Sequence, residues 1–228
     1  MTCRAGHSER QAIRPASALR GLRANIIAAM LTVYLIRHGQ TAFNAQGRVQ
    51  GWLDVPLDDT GQLQAWRVAQ RFSKKSIQVI YSSPLQRAAD TARAIAQACG
   101  REVIFDERLR EYHMGDWTGL TGEEIAAIAP DPRTNDPDFT IPNGESAQDM
   151  HRRVVSLLQD WVMRHMGEAI IAVSHGGTLG ALIGTMLGLP VMRRHPFTFG
   201  NASVAEASYE NGRWRLRSLN DRCHLYEG

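Results

Sequence analysis

The stretch L-T-V-Y-L-I-R-H-G-Q-T, residues 31–41, runs an apolar, partly β-branched segment straight into an arginine, a histidine and a glycine. Residues 31–37 are apolar on both faces, as expected of a strand buried within a parallel sheet. Gly39 lets the chain turn sharply and lets a ligand approach the backbone. In open α/β sheets ligands sit beyond the carboxyl ends of the strands. Arg37 and His38 therefore stand where such a fold keeps its chemistry.

Working outward, the pattern alternates strands and helices. Thr60 or Asp59 caps a predicted helix from 61 to about 74, with Leu63, Trp66, Val68, Ala69 and Phe72 on its apolar faces. Residues 77–82 read as a second strand. Pro84 suits the first turn of a helix ending at Gly100, and residues 103–105 form a short strand. Residues 107–145 carry glycines, prolines and one short helix, 122–129, ended by Pro130; this is a small cap insertion. Residues 146–166 place Met150, Val154, Leu157, Leu158 and Trp161 at helical spacing. Residues 169–173 are wholly apolar and read as a strand, followed by a helix at 178–187. Strands at 203–209 and 213–219 flank Glu210-Asn211-Gly212, a hairpin signal. The expected fold class is α/β, in three layers: a mostly parallel central sheet, helices on both faces and a closing antiparallel hairpin.

Bulk properties narrow the function. With 228 residues and 43% apolar composition, the chain can build one well-cored domain, expected over 31–228. No apolar run approaches the ~20 residues of a membrane span, so no membrane partner is expected. The formal charge of +3 is uneven: residues 1–30 sum to +4 and the remainder to −1. No basic face gathers on the domain, so nucleic acid is not an expected partner either. The leader admits three readings: an organellar presequence, a basic disordered tail, or a segment upstream of a true start at Met30; the last two are preferred. Cys3, Cys99 and Cys223 are too few and too scattered for a disulfide framework or zinc site, which points to reduced thiols and a cytoplasmic location.

The residues following the strands share one chemistry. Arg37, His38 and Gly39 follow the first strand. Ser82, Ser83 and Arg87 follow the second, Arg110 and Glu111 the third, and Ser174, His175, Gly176 and Gly177 the apolar one. Arginine forks match phosphate oxygens, neutral imidazole attacks phosphorus, a helix N-terminus at Gly176–Gly177 favours an anion, and a carboxylic acid can protonate a leaving oxygen. Singly, each residue is more often structural: a hydrogen-bonded histidine, a surface arginine, a solvated Arg110–Glu111 pair. A metal held by His38, His175 and Glu111 is disfavoured by the adjacent arginines and by the lack of H-E-x-x-H or H-x-H spacing. Five such residues at successive strand ends favour phosphoryl transfer.

At this point the chain resembles the histidine phosphatase superfamily, the phosphoglycerate-mutase-like proteins, over nearly all of 31–228. R-H-G-Q-T at 37–41 is similar to the family's R-H-G-x-[ST] box, with Asn44 after it. V-Q-G-W-L-D-V-P-L at 49–57, S-S-P-L-Q-R-A-A-D-T-A at 82–92, L-R-E-Y-H-M-G-D-W-T-G-L at 109–120 and V-S-H-G-G at 173–177 follow in the family's order. The resemblance implies that His38 becomes a phosphohistidine and that Arg37, Arg87 and His175 form the phosphate pocket. Asn44, Gln50 and Gly51 add to that pocket, and Gly176 offers a backbone N–H. Glu111 would serve as proton donor and then as base. No metal or other cofactor is implied, and the partner is a small phosphorylated metabolite; a homodimer is admitted.

Two activities share that intermediate. Cofactor-dependent mutases carry a longer, basic insertion after the acid. Here Arg133 is the sole Lys or Arg between Glu111 and Arg152, and lysine occurs only at Lys74 and Lys75. The segments G-D-W-T-G-L, P-N-G-E-S and L-N-D-R-C-H-L look like the small broad-specificity and α-ribazole phosphatases. A metal-independent phosphate monoester hydrolase is therefore expected ahead of a phosphoglycerate mutase, and both ahead of a catalytically silent phosphate-ligand binder. Specificity is expected in residues 112–145 and 190–202. Trp52 and Trp117 are read as pocket-wall residues at most, His113 as a residue of the pocket mouth, and His151, Arg152, Arg153, His165 and His195 as surface residues.

Overall fold

A computed structural model describes residues 29–129 and 136–226. The leader expected over 1–30 lies almost wholly outside the described residues, as do Pro130 and Arg133. The six described strands are β1 (Leu31–Arg37), β2 (Val79–Ser82), β3 (Val103–Phe105), β4 (Ala169–Ser174), β5 (Val204–Glu210) and β6 (Arg213–Asp221). They form one sheet in the order β3-β2-β4-β1-β5-β6. The pairs β3–β2, β2–β4 and β4–β1 are parallel, whereas β5 runs antiparallel to both β1 and β6. This is the mostly parallel sheet with a closing hairpin that the sequence predicted. Asn211 and Gly212, at φ 51° and 78°, supply the two left-handed residues that a tight hairpin turn needs.

The described helices are α1 (Ala42–Ala45), α2 (Asp59–Phe72), α3 (Gln86–Cys99), α4 (Gly122–Ile128), α5 (Ala147–Arg164) and α6 (Gly176–Met186). Alternation along the strands separates two cores. Leu31, Val33 and Leu35 of β1 and Ile170 and Ala172 of β4 pack with α5 and α6, around Met150, Trp161, Leu182 and Ile183. Ile36, Ile171 and Val173 point the other way, onto Val68 and Phe72 of α2 and Ala88, Ala92 and Ile95 of α3. A third small cluster, Trp117, Ile125 and Ile141, holds the cap segment together. No described helix is long and apolar enough to cross a membrane.

Three helix starts differ from the sequence reading. The N-cap of α2 is Asp58, not Asp59 or Thr60: its backbone is extended, and its side chain accepts from Gly61 N at 2.7 Å. Pro84 precedes α3, which begins at Gln86; the Gln86 N–H donates to Asp54 Oδ1 at 2.6 Å, so a loop carboxylate substitutes for a local cap. The final helix opens at Gly176, two residues early, because Glu111 accepts from the N–H groups of Gly177 and Thr178. α4 ends at Ile128 and α5 spans Ala147–Arg164 behind the N-cap Ser146.

The turn after β1 packs backbone on backbone. A Cβ on Gly61 would sit 2.0 Å from Gln40 O, and one on Gly39 would sit 2.5 Å from Gly61 O. Asp58 N also donates to Gln40 O, and Gln40 N to Gln64 Oε1. The turn carrying His38 is thus clamped to the first turn of α2. Gly61→Ala is expected to lower stability by about 1–3 kcal/mol through overpacking. Gly122→Ala, at a helical position where a Cβ meets nothing within 4 Å, is expected to be neutral or to gain up to about 1 kcal/mol. Denaturant midpoints of the two variants check this; equal effects would refute the clamp.

Candidate active site

The carboxyl ends of β1, β2 and β4 meet at one cavity of about 740 Å³. Register aligns Arg37 with Ser174 and Ser82 with Val173. His38 N donates to Ser174 O and Ser83 N to Val173 O, which extends the ladder past the strands and fixes the residues that follow. Arg37, His38, Asn44, Gln50, Gly51, Arg87 and Glu111 all line the cavity. His175 is fully buried beside them, with its ring centroid 5.1 Å from that of His38. Of the site residues expected from sequence, His175 lies buried behind the cavity wall and Gly176 is not on it; Gly177 lines it instead.

The tautomer of His38 follows from its partner. Nδ1 lies 2.6 Å from Gly39 O. A carbonyl only accepts, so Nδ1 carries the proton and Nε2 keeps its lone pair. Burial, then the nearby Arg37 and Arg87 charges, hold the imidazole pKa well below 6.5 despite that carbonyl bond. His38 is thus a neutral, oriented imidazole whose Nε2 lone pair is available. His175 is also held neutral, by burial first and then by Arg87 and His38. Its Nε2 meets Ser83 Oγ at 2.8 Å, and Ser83 Oγ accepts from Leu85 N at 3.3 Å. The hydroxyl proton is therefore free to go to Nε2, which leaves Nδ1 as a buried donor with no partner.

Both guanidiniums are braced by carbonyls. Arg87, 1% exposed, donates from Nη1 to Leu53 O and from Nη2 to Gly51 O, each at 2.8 Å. Arg37 Nη1 donates to Phe199 O at 2.6 Å. In each, Nε is buried without a partner. Burial pulls both pKa values down, that of Arg87 to about 10, with Glu111 opposing. Asn44 Oδ1 accepts from Thr41 and from Asn201 Nδ2, and Gln50 Oε1 accepts from Thr41 Oγ1, which leaves their amide N–H groups as donors at the cavity wall. Gly51, at φ 52°, acts through its carbonyl on Arg87.

Glu111 occupies the N-terminus of α6, where an anionic substrate group was the sequence expectation. Its Oε2 accepts from Gly177 N, and its Oε1 from Thr178 N and Tyr112 N, at 2.9–3.1 Å. These donors fix the orientation of the carboxyl group at the cavity wall. A Cβ on Gly177 would come within 2.6 Å of Glu111 Oε1, so glycine there makes room for the acid.

Sequence reading missed what holds the Glu111 loop. Arg153, expected on a solvated face, is largely buried: it donates to the carbonyls of Arg108, Arg110 and Glu111 and pairs with Glu145 at 2.8 Å. No local signal marks its carbonyl contacts, since those partners lie 42 to 45 residues earlier in the chain. Trp52 Nε1 also donates to Glu111 O, at 2.7 Å, while its ring meets His113 and Arg110. Arg152 is exposed, as expected. His165 is buried instead, between Tyr81 Oη and Glu168, and His195 is partly buried against Gly180 and Gly184. Trp117 lines the cavity, together with Arg48, Arg193 and Arg194, which the sequence did not single out. Among the described residues, no group of three or more His, Cys, Asp or Glu side chains is placed to hold a metal ion.

Known proteins are similar to this chain in sequence and fold. The sequence model of the histidine phosphatase superfamily (branch 1) matches residues 33–222. The "Probable phosphoglycerate mutase GpmB" of Serratia proteamaculans is 40% identical over 208 residues, covering 86% of this chain and 95% of that one. "Phosphoglycerate mutase-like protein 4" of Arabidopsis thaliana is 37% identical, covering 86% and 87%. Among solved structures, a mycobacterial glucosyl-3-phosphoglycerate phosphatase in complex with VO3 superposes with a TM-score of 0.76 at 37% identity, covering 84% of this chain and 99% of that one. A phosphoserine phosphatase of Entamoeba histolytica, solved with 3-phosphoglyceric acid, gives 0.77 at 32%, covering 86% and 99%. The chain belongs to the histidine phosphatase superfamily, branch 1.

Proposed function

We propose that this protein hydrolyses phosphate monoesters of small metabolites through a phosphohistidine on His38. The observation that carries the reading is the pairing of a neutral, tautomer-fixed His38 with two buried guanidiniums at one cavity. Arg37, Arg87 and the His175 Nδ1–H would grip the phosphoryl oxygens and offset the charge of a loose transition state. His38 Nε2 attacks phosphorus, the bond to the alcohol oxygen breaks, and Glu111 gives that oxygen its proton. Water then attacks phosphorus, its proton passes to Glu111, the N–P bond breaks and inorganic phosphate leaves. The N–H groups at the start of α6 stabilise the carboxylate between the two steps. Free thiols at Cys99 and Cys223 and a metabolite substrate suit a cytoplasmic enzyme.

A mutase is the second reading, favoured by the names that the relatives from Serratia proteamaculans and Arabidopsis thaliana carry. The sequence-based objection, a shortage of cations after the acid, is weakened by Arg48, Arg193 and Arg194, which reach the cavity from other segments. Solved phosphatases at 32–37% identity support hydrolysis.

Turnover of p-nitrophenyl phosphate in the presence of a chelator tests the proposal. His38→Ala is expected to abolish it; undiminished turnover would reject the mechanism and, with no turnover in the native protein, a silent binder would stand. Interconversion of 3- and 2-phosphoglycerate outpacing hydrolysis would favour the mutase. Glu111→Gln is expected to slow hydrolysis of alkyl phosphates by about 10²–10⁴-fold and that of p-nitrophenyl phosphate far less, since nitrophenolate leaves without a proton. Arg153→Met is expected to reproduce that leaving-group selectivity at smaller size, because it frees the Glu111 backbone. A uniform loss on both substrates would make Arg153 merely structural. Burial and adjacent cations penalise imidazolium, so the ¹³C-detected ring resonances of His38 and His175 in the free enzyme should stay neutral as pH falls from 8 to 6.5 and titrate only below. A midpoint at or above 6.5 contradicts this.

A further inference from the structure

Asn44 and Gln50 both line the cavity, and an amide can present either a donor or an acceptor there. An anion is held by N–H and repelled by C=O, so the way each amide faces decides what it does. Thr41, fully buried, stands between them. Its backbone N–H donates to Asn44 Oδ1 at 3.2 Å, which turns that oxygen inward. The Thr41 hydroxyl accepts from Asn44 N and so has its own proton to give. Two acceptors compete for it, Asn44 Oδ1 at 3.2 Å and Gln50 Oε1 at 3.1 Å. The distances alone do not choose between them.

Asn201 makes the choice, although it does not itself line the cavity. Its Nδ2 lies 3.0 Å from Asn44 Oδ1 and 3.2 Å from His38 O. Both neighbours accept, so the edge of Asn201 turned to them is its NH2 group, with one proton for each. Thr41 N and Asn201 Nδ2 then occupy both lone pairs of Asn44 Oδ1. The Thr41 hydroxyl proton goes to Gln50 Oε1 instead, and that oxygen too is turned inward. The segment carrying Asn201 is fixed by its backbone. Ala202 N donates to His38 O and Arg37 N to Ser203 O, each at 3.1 Å. Ala202 is left-handed, at φ 53°, and His224 Nε2 donates to its carbonyl at 3.0 Å. A residue other than glycine holds that conformation only where its surroundings impose it.

We propose that Asn201 is a positioning residue that sets the donor polarity of two cavity-wall amides. It acts on Asn44 directly and on Gln50 through the Thr41 hydroxyl, so that both offer N–H groups to an anion in the cavity. Asn201 stands 157 residues from Asn44 in the chain, in the stretch 190–202 that was expected to govern specificity. Its work lies at the phosphate end instead. The inference deepens the phosphatase reading and rests on it for the identity of the anion as a phosphoryl group.

The native protein gives a direct readout in its side-chain amide ¹⁵N–¹H signals. Both Asn201 protons, being engaged, should exchange slowly with solvent. Those of Asn44 and Gln50 should exchange quickly in the free protein and shift when inorganic phosphate is added. Fast exchange at Asn201, or Asn44 and Gln50 signals that phosphate does not move, overturns the proposal. A mutant cycle adds a second readout, the dissociation constant of inorganic phosphate by calorimetry. Asn201→Ala is expected to weaken binding about three- to tenfold. With Asn44 already alanine, the same change should cost no more than about twofold, because the Thr41 hydroxyl then has only Gln50 to serve. An equal loss in both backgrounds makes Asn201 merely structural. Asn201→Asp, of native size, sets acceptor against acceptor and should weaken binding more than Asn201→Ala; binding as tight as native overturns the proposal. The expected cycle without p-nitrophenyl phosphate turnover would sink the hydrolase reading and uphold the positioning role; turnover with an equal loss in both backgrounds would do the reverse.

Discussion

Two buried guanidiniums at one cavity, with no carboxylate among the described residues within hydrogen-bond reach, are the constraint on which the rest of the molecule depends. Arg37 and Arg87 are braced by the carbonyls of Phe199, Gly51 and Leu53. Carbonyl dipoles orient a cation without cancelling its charge, so the field at the cavity stays positive. Burial, with that field added to it, keeps both imidazoles neutral, and the field favours an anion at the cavity. A carboxylate salt-bridged directly to either arginine would weaken that field.

Glu111, the acid among the described cavity residues, is kept in a different way. Glu111 faces the cavity, yet its oxygens are occupied by the backbone N–H groups opening α6. Its loop is stitched to the scaffold by Arg153 and Trp52 on the Glu111 carbonyl, by Thr178 Oγ1 on Arg110 O and by Ser174 Oγ on Leu109 O. β4 and α6 thereby place His175 and Glu111 together, one as the helix N-cap and the other across its first turn. On the opposite side, the backbone contact of Gly39 with Gly61 ties the His38 turn to α2. Nucleophile and acid are thus fixed by separate elements that share only the sheet.

The sheet was legible because its strands are short, apolar and punctuated. Residues 31–37 and 169–173 are short, largely apolar runs bounded by turn signals, as strands covered on both faces are, and Asn211-Gly212 announces its own turn. His38, Arg87, Glu111 and His175 were legible because each follows a strand within a recognisable block. What stayed hidden acts across long sequence separations. Asp54 caps α3 and Glu111 caps α6 from loops, so a reading that searches the residue just before a helix misses both. Arg153 looks like any helical arginine until its carbonyl partners are placed beside it. Arg193 lies over Trp117 and Phe139, more than 50 residues earlier, and nothing local announces that stack.

The central claim is a covalent bond between phosphorus and His38 Nε2. Quenching the enzyme in alkali within milliseconds of mixing with a ³²P-labelled monoester tests it directly. The account expects a base-stable, acid-labile phosphoryl group recovered on the peptide that contains His38. Burst-phase turnover with no label on protein, or label on His175 or Glu111 instead, would contradict it.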